Sequence, residues 1–175
     1  MKINWKKLLL CLALPLAVGG LAALLSGGMD LYKELDRPPL SPPGWVFPVV
    51  WSALYLLMGY AAYRVQTSGK DPEQIRKAMR LYGGQLLLNF LWSPVFFGLH
   101  WYLVAFFILV ALWVMIYLTM QAFSKIDETA GDLLIPYLLW VTFAGYLNFG
   151  VFFYFTLIIA VLCIIRHHAN ISRLL

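Results

Sequence analysis

The chain has 175 residues, of which 62% are hydrophobic and only 12% charged, with a net charge of +5 from 13 basic and 8 acidic side chains. An ordinary soluble domain is roughly half apolar and about a quarter charged, so this composition excludes a water-soluble globule and points to one lipid-embedded domain. The basic excess sits in short segments between apolar runs, the pattern of membrane topology rather than of nucleic-acid binding.

A helix needs about 20 apolar residues to cross a bilayer core. The first such run is residues 8–28, preceded by Lys2, Lys6 and Lys7. A basic start before an apolar stretch also describes a signal peptide. The run is long for that, and no small-x-small cleavage site with a polar follow-on appears, so a retained helix is expected. Residues 29–43 follow as a long connection containing Arg37-Pro38-Pro39-Leu40-Ser41-Pro42-Pro43. Proline fixes φ and supplies no N–H, which makes this a stiff, non-helical segment, either a linker or a lid over the mouth of the bundle. The second run is 44–65 and the third 81–99. The fourth, 101–123, follows across a junction at His100 so short that the two must form an antiparallel hairpin. The fifth, 133–165, is several turns longer than a bilayer requires and must tilt or project. The expectation is an all-α membrane protein, a five-transmembrane-helix bundle spanning 1–175 as a single domain.

Basic residues on the connections orient the bundle. Lys2, Lys6, Lys7, Arg64, Lys70, Arg76, Lys77, Arg80 and Lys125 fall on one side; Lys33, Arg37, Arg166 and Arg173 fall on the other. This predicts the N-terminus inside and the C-terminus outside. The Lys-rich start and the lack of an organelle-targeting presequence fit a bacterial inner membrane, although a mitochondrial protein would read similarly.

Polar side chains inside a membrane helix are costly unless satisfied, and they turn inward. In the third run Gln85, Asn89 and Ser93 lie at i, i+4 and i+8, with Trp92 on the same face. The second run places Trp51, Tyr55 and Met58 together, with Ser52 and Gly59 beside them; the fifth places Trp140, Ala144, Leu147 and Asn148 together, one turn beyond Pro136. Three stripes of aromatic rings with a few amides or hydroxyls describe the wall of a small-ligand pocket. Interhelical packing produces the same pattern, since Asn and Gln often only bond a neighbouring helix. The small residues Ala13, Ala17, Gly19 and Ala23, or Gly83 and Gly84, permit close helix approach within the bundle or in a homodimer.

No catalytic or metal-binding constellation appears. All eight carboxylates lie in connections or at helix ends, and no His lies within a run. No HExxH, GxSxG or Gly-rich phosphate loop is present. His167 and His168 are adjacent, so they do not share a helix face, and they read as a solvated end. Cys11 and Cys163 read as small apolar residues. Intramembrane charges of the kind that ion-coupled transport needs are missing as well.

Three motifs, in order and at matching intervals, carry a resemblance. Pro42-Pro43-Gly44-Trp45-Val46-Phe47, with Val50-Trp51-Ser52-Ala53-Leu54-Tyr55 and Met58-Gly59-Tyr60, is the first. The second is Gly84-Gln85-Leu86-Leu87-Leu88-Asn89-Phe90-Leu91-Trp92-Ser93-Pro94-Val95-Phe96-Phe97-Gly98, and the third runs from Pro136 through Trp140 to Asn148. Over roughly residues 8–155 the chain resembles the tryptophan-rich sensory protein / translocator protein family. The resemblance implies a five-helix bundle, often a homodimer, that binds porphyrins, cholesterol or other sterols, or benzodiazepine-type drugs in a cavity capped by the first loop. Carried over to this sequence, the cavity would be lined by Trp51, Tyr55, Asn89, Trp92, Trp140, Ala144 and Leu147, with Trp45 and Asn148 as neighbours. It implies no catalytic residue, metal or resident cofactor; the ligand expected is a protoporphyrin or haem-related tetrapyrrole, possessing a large π-face for the tryptophans.

Two departures from the family pattern matter. Leu40 stands where the family usually has a tryptophan, which weakens a light-dependent porphyrin-degrading activity. No Lys or Arg follows Tyr146 or Tyr154 within five residues, so the short sterol-recognition pattern is absent. The leading expectation is a membrane receptor or sensor for a planar hydrophobic ligand. A transporter of porphyrin or lipid, the porphyrin-degrading enzyme, and a purely structural packing protein are its competitors.

Overall fold

The structure is a computed structural model that describes residues 3–26 and 38–171. Among these residues it contains helices and no strands. The long helices are α1 (Trp5–Leu25), α2 (Val46–Gln66), α3 (Pro72–Ser93), α4 (Tyr102–Ser124) and α6 (Ile135–Ile171), with a short α5 (Glu128–Asp132) before the last. Four stretches are long and apolar enough to cross a membrane: Trp5–Leu25, Val46–Gln66, Tyr102–Ser124 and Glu128–Arg166. The fifth long helix, α3, carries Glu73, Arg76, Lys77 and Arg80 in its first turns and does not reach that threshold along its length. These four stretches have the length and composition of membrane spans.

The boundaries shift for physical reasons. Helix α1 begins at Trp5, three residues before the apolar run, because the Asn4 side chain accepts from the Lys7 N–H and caps it. Helix α3 begins at Pro72 rather than 81: Asp71 caps it, accepting from the Glu73 N–H, and proline is tolerated in a first helical turn. Hydrophobicity marks only the lipid-facing part of a helix, and the charged turns that precede it are still helical. Beyond Ser93 the chain makes one wide turn, Pro94–Gly98, and reverses at His100 (φ 58°) into α4. The antiparallel α3–α4 hairpin is therefore present. Helix α6, at 37 residues, is about 55 Å long and far exceeds a bilayer core of about 30 Å. Residues 29–37 of the expected capping loop and the side chains of His167 and His168 lie outside the described residues.

Packing follows the small residues and the interhelical polar bonds. Helix α1 packs on α2 and α3, α3 on α4, and α4 on α6. Pro15 lies inside α1 and has no N–H for the carbonyl of Cys11, four residues earlier. That carbonyl faces Gly59 of α2, where an added Cβ would lie 2.6 Å from it. The missing hydrogen bond and the missing side chain let the two backbones meet. At the end of the bundle carrying the N-terminus, the Arg64 guanidinium donates Nε and Nη2 to the Asp127 carboxylate at 2.8–3.1 Å. Asp127 also accepts from the Ala130 N–H, capping α5, so one carboxylate ties α2 to the α4–α6 connection.

Candidate functional site

Large aromatic side chains meet between helices α2 and α6. Trp51 of α2 meets Tyr137 of α6 edge-on at 6.1 Å, and Phe47 meets Trp140 at 5.8 Å. On the other side of the α2 rings, toward α1 and α3, lies a cavity of about 330 Å³. From α2 it is walled by Phe47, Trp51 and Tyr55, and from α3 by Asn89 and Trp92. Its third wall is α1, through Gly19, Gly20, Ala23 and Ser26.

The polar groups of this region are few, and most of them are paired. Tyr55 Oη donates to Asn89 Oδ1 at 2.8 Å while its ring stacks on Trp51 at 5.5 Å. Asn89 Nδ2 donates to Tyr137 Oη at 3.0 Å. One amide thus joins α2, α3 and α6. At the other edge Trp92 Nε1 donates to Asn148 Oδ1 at 3.1 Å, and Asn148 Nδ2 donates to the Tyr102 carbonyl at 2.7 Å. Asn148 therefore joins α3, α4 and α6. The hydroxyls of Ser26 and Ser93 lie 2.7 Å apart on the cavity wall.

A second, much smaller cavity of about 30 Å³ lies on the other side of Phe47, Trp92 and Phe97. Ala144, Leu147 and Asn148 line this one, together with Pro38 and Ser41. The described end of the first loop closes over it: Pro38 lies against Gly150, and the Pro39 carbonyl accepts from Tyr146 Oη at 2.9 Å.

Of the nine expected site residues, Trp51, Tyr55, Asn89 and Trp92 line the main cavity, and Trp92, Ala144, Leu147 and Asn148 line the smaller one. Trp140 borders neither, but packs on Phe47, which borders both; its Nε1 is buried without a protein partner. Trp45 is 69% exposed at the start of α2 and faces neither cavity. The α1 wall was not anticipated as a ligand surface. Its one signal was the small residues Gly19 and Ala23, which read equally as a packing stripe. Ser26 had no signal at all. Leu40 is 85% exposed with φ 66°, and it too faces neither cavity.

Among the described residues no cluster of His, Cys, Asp or Glu has the arrangement of a metal site. The chemistry of the arrangement is recognition: aromatic faces, a short rim of hydroxyls and amides, and no charge.

The sequence model of the TspO/MBR family matches residues 11–154. The chain is 40% identical to the tryptophan-rich protein TspO of Chlorobaculum tepidum over 146 residues, covering 82% of this chain and 92% of that one. It is 40% identical to the tryptophan-rich sensory protein of Cereibacter sphaeroides, covering 85% and 91%. With the translocator protein of Homo sapiens the identity is 37%, covering 71% and 74%. On the matched motifs, the helical architecture and this coverage, the chain belongs to the TspO/MBR family.

Proposed function

We propose that this protein is a five-span membrane receptor or sensor that binds a planar hydrophobic ligand, a tetrapyrrole above others, in the cavity between α1, α2 and α3. The cavity itself carries the reading. At about 330 Å³ it lies within the range of small-molecule sites, it is lined by two tryptophans, and its polar groups are few and fixed. A macrocycle face fits against Trp51 and Trp92, and turning Phe47 and Phe97 aside joins the second compartment to the first. The unpartnered Trp140 Nε1 beside Phe47 then supplies a donor to a polar edge. In this reading α3 also crosses the bilayer, the N-terminus lies inside and the C-terminus outside, the host membrane is a bacterial inner membrane, and the protein works as a homodimer.

A passive transporter is the second reading. The main cavity's lining includes solvent- or lipid-exposed residues of α1 and α2, among them Gly20, Ala23, Pro48 and Ser52, so it opens sideways between these helices. Ligand flux into liposomes containing the protein separates transport from binding.

The test is a protoporphyrin titration of the purified protein in detergent, followed by tryptophan quenching. Saturable quenching is expected. Trp51→Phe should weaken it by about five- to tenfold, the worth of one aromatic contact of about 1 kcal/mol. Trp113→Phe, on the outer groove between α4 and α6, should not. Unchanged affinity in Trp51→Phe sinks the assigned site.

A further inference from the structure

One turn before Asn89 on α3, the Gln85 side chain is 1% exposed, and neither its carbonyl oxygen nor its amide nitrogen has a protein partner. Three residues earlier the Tyr82 hydroxyl, on a side chain also 1% exposed, is in the same condition. Spacings of three and four put Tyr82, Gln85 and Asn89 on one face, with Gln85 about 6 Å along the axis from Asn89 and about 4.5 Å from Tyr82. Tyr137, wholly buried, accepts from Asn89 Nδ2, so its own hydroxyl hydrogen points elsewhere.

These groups sit inside a bundle whose surroundings are lipid. Hydrocarbon offers a carboxamide nothing, and a buried amide with both ends unpaired is strongly disfavoured. Leucine would fill the same space without that penalty. Buried polar atoms without a protein partner are ordinarily satisfied by ordered water, which makes about three hydrogen bonds to its surroundings. Gln85 offers both a donor and an acceptor, Tyr82 offers either, and Tyr137 has a hydrogen to give.

We propose that Gln85 and Tyr82 form an internal water-binding site in the bundle core, separate from the ligand cavity and joined to it through Tyr137 and Asn89. The bound water accepts from Gln85 Nε2 or Tyr137 Oη and donates to Gln85 Oε1, with Tyr82 Oη completing its shell. The hydrogen-bond chain Tyr55–Asn89–Tyr137 then continues into the core instead of ending there. This site does not depend on what the cavity binds.

Magic-angle-spinning NMR of the uniformly ¹⁵N-labelled full chain in lipid bilayers tests it through magnetisation transfer from water protons to the glutamine side-chain amides. The chain has only four glutamines, Gln66, Gln74, Gln85 and Gln121. Gln85→Leu identifies the resonance by its loss. If that variant does not fold, Gln66→Glu, Gln74→Glu and Gln121→Glu assign the other three in turn. The Gln85 amide should gain water magnetisation faster than the fully buried backbone amides of Ala105 and Leu112, and Tyr82→Phe should slow that gain. A Gln85 amide no faster than those two, or one unaffected by Tyr82→Phe, overturns the proposal.

Discussion

Gly19 is the position where a single methyl group should report on the site. A Cβ built there overlaps the Tyr55 ring and lies 2.7 Å from its hydroxyl oxygen. The obstruction is the far end of a side chain, which normally yields cheaply. Here the hydroxyl is held by Asn89 and the ring is stacked on Trp51, so the ring moves only by giving up both. Breaking the Tyr55–Asn89 bond and leaving a buried amide oxygen short of a donor costs about 1–3 kcal/mol, and overpacking adds a comparable amount if the ring stays. Because one escape relieves the other, Gly19→Ala should destabilise by about 2–3 kcal/mol, despite alanine's better helix propensity of about 1 kcal/mol. Denaturant titration in mixed micelles, followed by circular dichroism, measures this. In a Tyr55→Ala background the obstruction is gone, and Gly19→Ala should be neutral or stabilising by up to about 1 kcal/mol. Gly19 and Tyr55 both line the cavity, so the change alters its wall and ligand affinity should fall in the single variant. An equal cost in both backgrounds would refute the reasoning, because it would place the effect of Gly19 somewhere other than Tyr55.

Partial burial raises the Asp127 carboxyl, but the Arg64 guanidinium and the Ala130 and Thr129 N–H groups outweigh it and hold the carboxyl below its ordinary value of 3.8. Since the folded value is the lower one, this pair's stabilisation is complete above the unfolded value and is lost as pH falls through the folded value. Titrations at successively lower pH should show a fall of about 1–2 kcal/mol that is missing from Asp127→Asn, and that variant should already be weaker by a similar amount at neutral pH. Leu40→Trp, which installs the family's usual residue, should leave protoporphyrin affinity within about twofold, because the side chain is exposed and faces neither cavity; a clear gain in the titration would mean that the loop closes differently over bound ligand.

The motifs Trp51-Ser52-Ala53-Leu54-Tyr55, Asn89 to Trp92 and Trp140 to Asn148 were legible because helical spacing alone puts those residues on inward faces. Number and order of the long helices were legible too, since lipid demands long apolar stretches. Their true starts were not: Asn4 and Asp71 begin helices by capping them, a local bond that hydropathy does not register. Periodicity says which residues face inward, but not which of them meet. The α1 wall exists because Pro15 frees a carbonyl and Gly59 lets α2 close on it. Two compartments arise where one was expected, because Phe47 of α2 and the Trp92 and Phe97 rings at the end of α3 form a wall shared by both. Asn89 and Asn148 looked like ligand groups or packing groups. Tertiary structure made both of them bridges between three helices, since a buried amide in lipid takes whichever partners the assembled bundle brings within reach.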